Sequence, residues 1–230
     1  MKEILLGDIL IEVERRAVRN MRLTVYRTGR VRLVIPWLTP ESTARKFVEQ
    51  RTHWIQQHYK AAKQRQTRPS LHYTEGEQHL LFGAALPLHI QHVSSGAQAV
   101  INTGEALVMY CRPETDEEHR QALLHKFYRS ELYRYITTQL KTYTLLYREA
   151  DITFRLRQMK TEWGSCMARK RTLLFNTDLA KVPCPLVDYV IVHELCHLQV
   201  QNHGPLFKQL LGQRMPDWQE RKQLLNKFTR

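Results

Sequence analysis

Along the first third of the chain, apolar and polar positions alternate. Leu5 to Val13 and Leu23 to Ile35 each keep a period near two, the mark of half-buried strands. The second stretch folds back on itself around Thr28-Gly29-Arg30, and Pro36 and Pro40 end it. The period then changes. Phe47, Val48, Arg51, Trp54, Ile55, His58 and Tyr59 recur at helical spacing, which predicts one amphipathic helix over about 41–66. Residues 71–111 return to short strands punctuated by Gly76, Gly83, Pro87, Gly96 and Gly104. Beyond Pro113, Leu124, Phe127, Leu132, Ile136, Leu140 and Tyr143 share one face, so a long helix or two abutting ones are expected over 115–149. Short strands at Ile152 to Gln158 and Arg171 to Phe175 flank a loop holding Trp163-Gly164-Ser165-Cys166, and two helical segments come after residue 183. No stretch of sequence repeats. The expected fold class is α+β: a β-rich N-terminal part with one amphipathic helix, residues 1–112, then a helical part, 113–230, able to pack with it as one body.

Composition narrows the function classes. A chain of 230 residues, 43% of them hydrophobic, can bury a real core. No run approaches 18 consecutive apolar residues, so no membrane-spanning helix is expected. The first residues lack the long apolar stretch of a secretory signal, and the expected setting is the cytoplasm. Cys111, Cys166, Cys184 and Cys196 show no CxxC spacing, which excludes a cysteine zinc knuckle and favours reduced thiols. The net charge of +13 is concentrated early, with 15 Lys+Arg against 6 Asp+Glu in residues 1–70. Arg15, Arg16, Arg19, Arg22, Arg27, Arg30 and Arg32 surround the predicted hairpin. Such a patch is either a footprint for nucleic acid, bound weakly and without sequence preference, or a solvated basic face.

The chemistry gathers in residues 183–203, PCPLVDYVIVHELCHLQVQNH. Pro185 fits the first turn of a helix and Asp188 lies near its positive end. Leu186, Val187, Tyr189, Val190, Ile191, Val192, Leu195 and Leu198 make that helix apolar almost all round, so it is expected to be buried. Two histidines and a glutamate in such surroundings are costly unless something satisfies them. His193 and His197 are four residues apart, on one helical face, where both imidazoles can share one zinc ion. Glu194 falls beside the metal's open position, placed to take a proton from water. Asn202 and Gly204 signal a chain stop, with Pro205 suited to start the next helix. His203 sits in that reversal as the third ligand. Three nitrogen ligands leave a fourth position free, the pattern of a catalytic site. With this composition a chance HExxH has an expectation of roughly 0.04, so the motif is a specific signal.

HELCHL followed by NH, preceded by WGSC and then Asn176, resembles the YgjP-like metal-dependent hydrolases, relatives of the SprT and WLM metalloproteases. The likeness extends to the Arg-rich hairpin, to the helix with Trp54-Ile55 and to PLVDYVIVHELCHL, and so covers most of the chain. Glu162 stands where the family often has a basic or small polar residue, and Leu206-Phe207 where Phe-Trp is usual. The resemblance implies a zincin-like core, with one zinc on His193, His197 and His203 and Glu194 as general base, cleaving a protein or peptide substrate. The relatives act on DNA-associated proteins, which makes a nucleic-acid-associated protease the alternative; a hydrolase of a non-peptide substrate is the other. The WGSC loop is read mainly as packing, with Gly164 permitting a turn and Ser165 donating to substrate or to a loop backbone. An edge strand near 171–176 would accept an extended peptide by β-addition.

Overall fold

The computed structural model of the chain describes residues 3–26, 28–66 and 71–228, and divides into two compact units, Met1–Ser70 and Leu71–Arg230. In the first unit the alternating positions form β1 (Glu3–Leu6), β2 (Ile9–Arg16), β3 (Arg22–Val25) and β4 (Val31–Pro36), in the order β1-β2-β4-β3. β2 and β4 run parallel at the centre, and each outer strand is antiparallel to its neighbour. Ile4, Ile9, Ile11, Val31, Leu33 and Ile35 point to one face and are buried. The helical stretch covers that face with Ala44, Val48 and Ile55, each side chain of this size contributing about 1.5–3 kcal/mol on burial, less for alanine.

The single helix expected over 41–66 is two, α1 (Glu41–Glu49) and α2 (Thr52–Gln66). Between them the Arg51 N–H turns back to the Val48 carbonyl, three residues away, and the Thr52 hydroxyl donates to the Glu49 carbonyl at 2.8 Å. A tightened turn and a side chain competing for a helix carbonyl break the ladder without a proline.

The second unit opens with β5 (Gln78–Leu81), β6 (Ala84–His92), β7 (Ala99–Asn102) and β8 (Leu107–Cys111). Their order, β5-β6-β8-β7, with a parallel central pair and antiparallel flanks, repeats the topology of the first sheet. Gly7 and Gly83 turn the first hairpin of each sheet, and Gly29 and Gly104 the second, all at positive φ. The repeat is one of topology, invisible as residue identity. This sheet packs on the 30-residue helix α3 (Glu117–Leu146), whose N-cap Asp116 accepts from the His119 N–H at 2.8 Å. Leu88, Leu107 and Met109 share one core cluster with Leu124, Leu132 and Ile136 of α3, which is why residues 71–111 form one compact unit with the C-terminal helices.

A third sheet holds β9 (Thr153–Arg157), β10 (Gly164–Met167) and β11 (Thr172–Asn176) in the order β10-β11-β9. The segment read as a WGSC loop is therefore strand from Gly164 onward and forms an edge antiparallel to β11, whereas the stretch expected to be the edge, 171–176, is the central strand, paired on both sides. Three helices, not the two expected, complete the unit: α4 (Cys184–Cys196), α5 (Pro205–Arg214) and α6 (Trp218–Lys227), the last two separated at Met215–Asp217. The start of α4 is fixed from two sides. Gly83 sits where a Cβ would lie 2.7 Å from Pro183 Cγ, and the Asp188 carboxylate accepts from Tyr135 Oη of α3 at 2.9 Å. Among the described residues no helix is long and apolar enough to cross a membrane.

Candidate metal centre

His193 and Glu194 lie in the last turn of α4, and His197 is the residue that caps it. Val187, Ile191, Val192 and Leu195 hold the helix in the core with no exposure. The chain then turns through 197–200, where the Gln199 and Val200 N–H groups both reach back to the Cys196 carbonyl. His203 comes next, and Pro205 opens α5 directly.

The result is a triangle of ring nitrogens. His193 Nε2 lies 3.2 Å from His197 Nε2 and 3.0 Å from His203 Nε2, with His197 and His203 3.1 Å apart. Nitrogens held by one zinc at about 2.0–2.1 Å in tetrahedral directions stand about 3.3 Å from one another. The observed spacing fits a three-histidine metal site to within a few tenths of an ångström. The outer ring nitrogens agree. His197 Nδ1 is 3.0 Å from the Val200 carbonyl, which makes Nδ1 the protonated nitrogen and leaves the Nε2 lone pair for a metal. Burial first, then the neighbouring histidines, pushes the His193 pKa down to about 3, and burial lowers His197 as well. Neutral imidazoles are what coordination requires. Beneath all three rings lies buried Phe207 of α5, with ring centroids 4.9, 4.5 and 4.8 Å from those of His193, His197 and His203.

Glu194 is 5% exposed, and its carboxylate faces β10. A Cβ on Gly164 would come within 2.6 Å of Glu194 Oε1. Gly164 is thus needed for close approach, not for the turn expected of it. Burial, with a smaller contribution from Glu162, raises the Glu194 pKa to about 8. In front of the triad opens a cleft of about 880 Å³, bounded by β10 and the turn after it, by α4, and by Lys222, Leu225 and Asn226 of α6.

The four site residues singled out in the sequence are brought together here. Cys166 lines the cleft, its thiol held protonated by burial, which raises its pKa to about 11; Cys196 is fully buried and free. Sequence reasoning misses Phe207 and the α6 residues. A helical turn separates His203 from Phe207, but that spacing is shared by any core residue. Nothing in α6 distinguishes a cleft wall from a solvated face.

Among protein families, the profile described as YgjP-like, metallopeptidase domain, matches residues 19–228. No curated protein matches the chain. Among solved structures, the metallopeptidase zymogen abylysin of Pyrococcus abyssi aligns with TM-score 0.37 and 16% identity over 40% of this chain and 94% of its own. The metallopeptidase zymogen jannalysin of Methanocaldococcus jannaschii aligns with TM-score 0.35 and 22% identity, over 41% and 93%.

Proposed function

Since this chain belongs to the YgjP-like metallopeptidase family, we propose that it is a zinc-dependent peptidase whose metal is held by His193, His197 and His203. The observation that carries this reading is the triangle of Nε2 atoms 3.0–3.2 Å apart, with a buried carboxylate beside it at the floor of a cleft. A zinc ion held there would polarise the scissile carbonyl and acidify water. Glu194 takes the proton of the attacking water and returns it to the leaving amine, the work of a general base that becomes a general acid. Gly164 lets β10 come against that carboxylate, so an extended chain paired with β10 passes the base directly. β10 pairs with β11 on one side only and offers its other edge for β-addition. An edge of this kind suits a polypeptide better than a small amide. This reading is the zincin-like core that the resemblance implies. Four free cysteines fit a reducing compartment, and we place the protein in the cytoplasm.

The arginines of the first unit give the nucleic-acid alternative little to stand on. Arg30 pairs with Glu12, and Arg16 and Arg32 share Glu14, so three of the seven are paired with two carboxylates of β2. Arg27 lies outside the described residues.

Metal analysis tests the ligand set. One zinc per chain is expected. His193→Ala, His197→Ala and His203→Ala should each weaken binding by at least the roughly 10–100-fold that accompanies loss of a ligand's hydrogen-bond partner. A His203→Ala variant that keeps stoichiometric zinc at parental affinity would remove His203 from the set.

A further inference from the structure

The cleft carries a charge asymmetry that the hydrolytic chemistry does not use. Arg169 and Lys170, in the turn Ala168–Lys170 directly after β10, and Lys222 of α6 all line it. All three are exposed, and none forms an ion pair among the described residues. Their immediate neighbours behave differently. Arg171 pairs with Glu149 at 3.1 Å and Arg221 with Asp217 at 2.8 Å, so at both places the cation left unpaired is the one facing the cleft.

Two carboxylates line the same cleft at the start of β10, opposite the end of that strand that carries Arg169 and Lys170. Glu194 is buried against Gly164, the first residue of β10, and Glu162 precedes that strand. Three residue steps of β10, at about 3.3 Å each, place roughly 10 Å of strand between this acidic end and the Arg169–Lys170 end. The cleft is therefore polarised along the direction a paired substrate would take.

We infer that the peptidase prefers substrates with acidic side chains three to five residues N-terminal to the scissile bond. The preference rests on the peptidase reading and deepens it. The base lies at Gly164, so the scissile bond lies there too. Antiparallel pairing is the more stable kind, and a chain antiparallel to β10 runs its N-terminal half toward Arg169 and Lys170. Acidic side chains there meet unpaired cations. Acidic side chains C-terminal to the bond meet Glu162.

Peptides sharing one cleavable core, with Glu, Gln or Lys placed three to five residues upstream or the same number downstream, test this. With zinc-loaded protein, upstream Glu should raise kcat/KM about three- to tenfold over Gln, the sum of a few exposed ion pairs, and downstream Glu should give no gain. The gain should shrink at 0.5 M salt. Arg169→Gln with Lys170→Gln should erase it, and Arg169→Glu with Lys170→Glu should turn the preference toward Lys. Anisotropy of the labelled peptides on the non-hydrolysing Glu194→Gln protein should rank them in the same order. Equal turnover and equal binding of the Glu and Gln peptides would overturn the inference, as would a preference that survives both double variants. If no peptide is cleaved above the Glu194→Gln background, the peptidase reading fails on its own, and the binding order still decides the charge preference.

Discussion

Glu194 and Gly164 act as a pair, because the carboxylate occupies the space a side chain on residue 164 would need. Gly164→Ala must push Glu194 or β10 aside. The expected result is about 1–3 kcal/mol of lost stability and at least a tenfold fall in kcat, with zinc content unchanged. Parental kcat in that variant would show that the carboxylate tolerates displacement and that the close approach is incidental. Phe207 is the other single residue on which the centre depends, since it touches all three imidazoles. Phe207→Ala should cost about 3–5 kcal/mol in denaturant unfolding and weaken zinc binding, because the rings lose the floor that fixes their angles. Unchanged zinc affinity would mean that the turn 197–203 alone sets the triad. At this scale the sequence was informative where chemistry demands a residue type. His193, Glu194, His197 and His203 stand out because buried histidines and a glutamate need a reason. Phe207 does not, because an apolar residue on an apolar helix needs none.

Between elements, one carboxylate ties down the segment that carries His203. Glu149, from the turn after α3, accepts from Gln199 at 2.7 Å, from Arg171 ahead of β11 at 3.1 Å and from Arg214 at the end of α5 at 3.3 Å. Gln199 and Arg214 flank His203 on either side, so this half-buried hub braces the reversal between α4 and α5. Burial works to raise the Glu149 pKa, and the hydrogen bonds from Gln199, Arg171 and Arg214 outweigh it, leaving the group below its ordinary value. A carboxyl whose pKa is lowered on folding stabilises the protein above its unfolded pKa, about 4.3. That contribution is lost as the pH falls through the lower, folded value. Glu149→Gln should therefore cost about 1–2 kcal/mol at pH 7, with the gap to the parent narrowing below about pH 4.3. Urea unfolding at pH 7, 5 and 4 measures it, and a gap that stays constant would contradict the hub. Such long-range pairings leave no trace in a linear pattern. The same holds for β10, whose four residues carry too few alternations to register as strand, and for the break between α1 and α2, where the apolar spacing continues across the interruption.

Over the whole molecule, the period of apolar positions located nearly every element, while the strand order came from pairings that periodicity cannot see. Two sheets of identical topology arise from sequences with different side chains, because hairpin turns at positive-φ glycines and one parallel crossover are all the pattern requires. The charge was legible as a count but not as a surface. Glutamates of β2 pair with Arg16, Arg30 and Arg32, whereas in the short run Arg169-Lys170-Arg171 and in Arg221-Lys222 the sequence does not show which cations pair with a carboxylate and which line the cleft. Residue, element and molecule meet in the proposal that Glu194 moves the proton beside a metal held by three histidines. The rate of peptide hydrolysis by Glu194→Gln, relative to the parent and at equal zinc content, tests that proposal most directly. Glutamine keeps the shape of the side chain but cannot accept the proton, so the rate should fall about 10²–10⁴-fold while zinc stays bound. A variant that cleaves at the parental rate would contradict it.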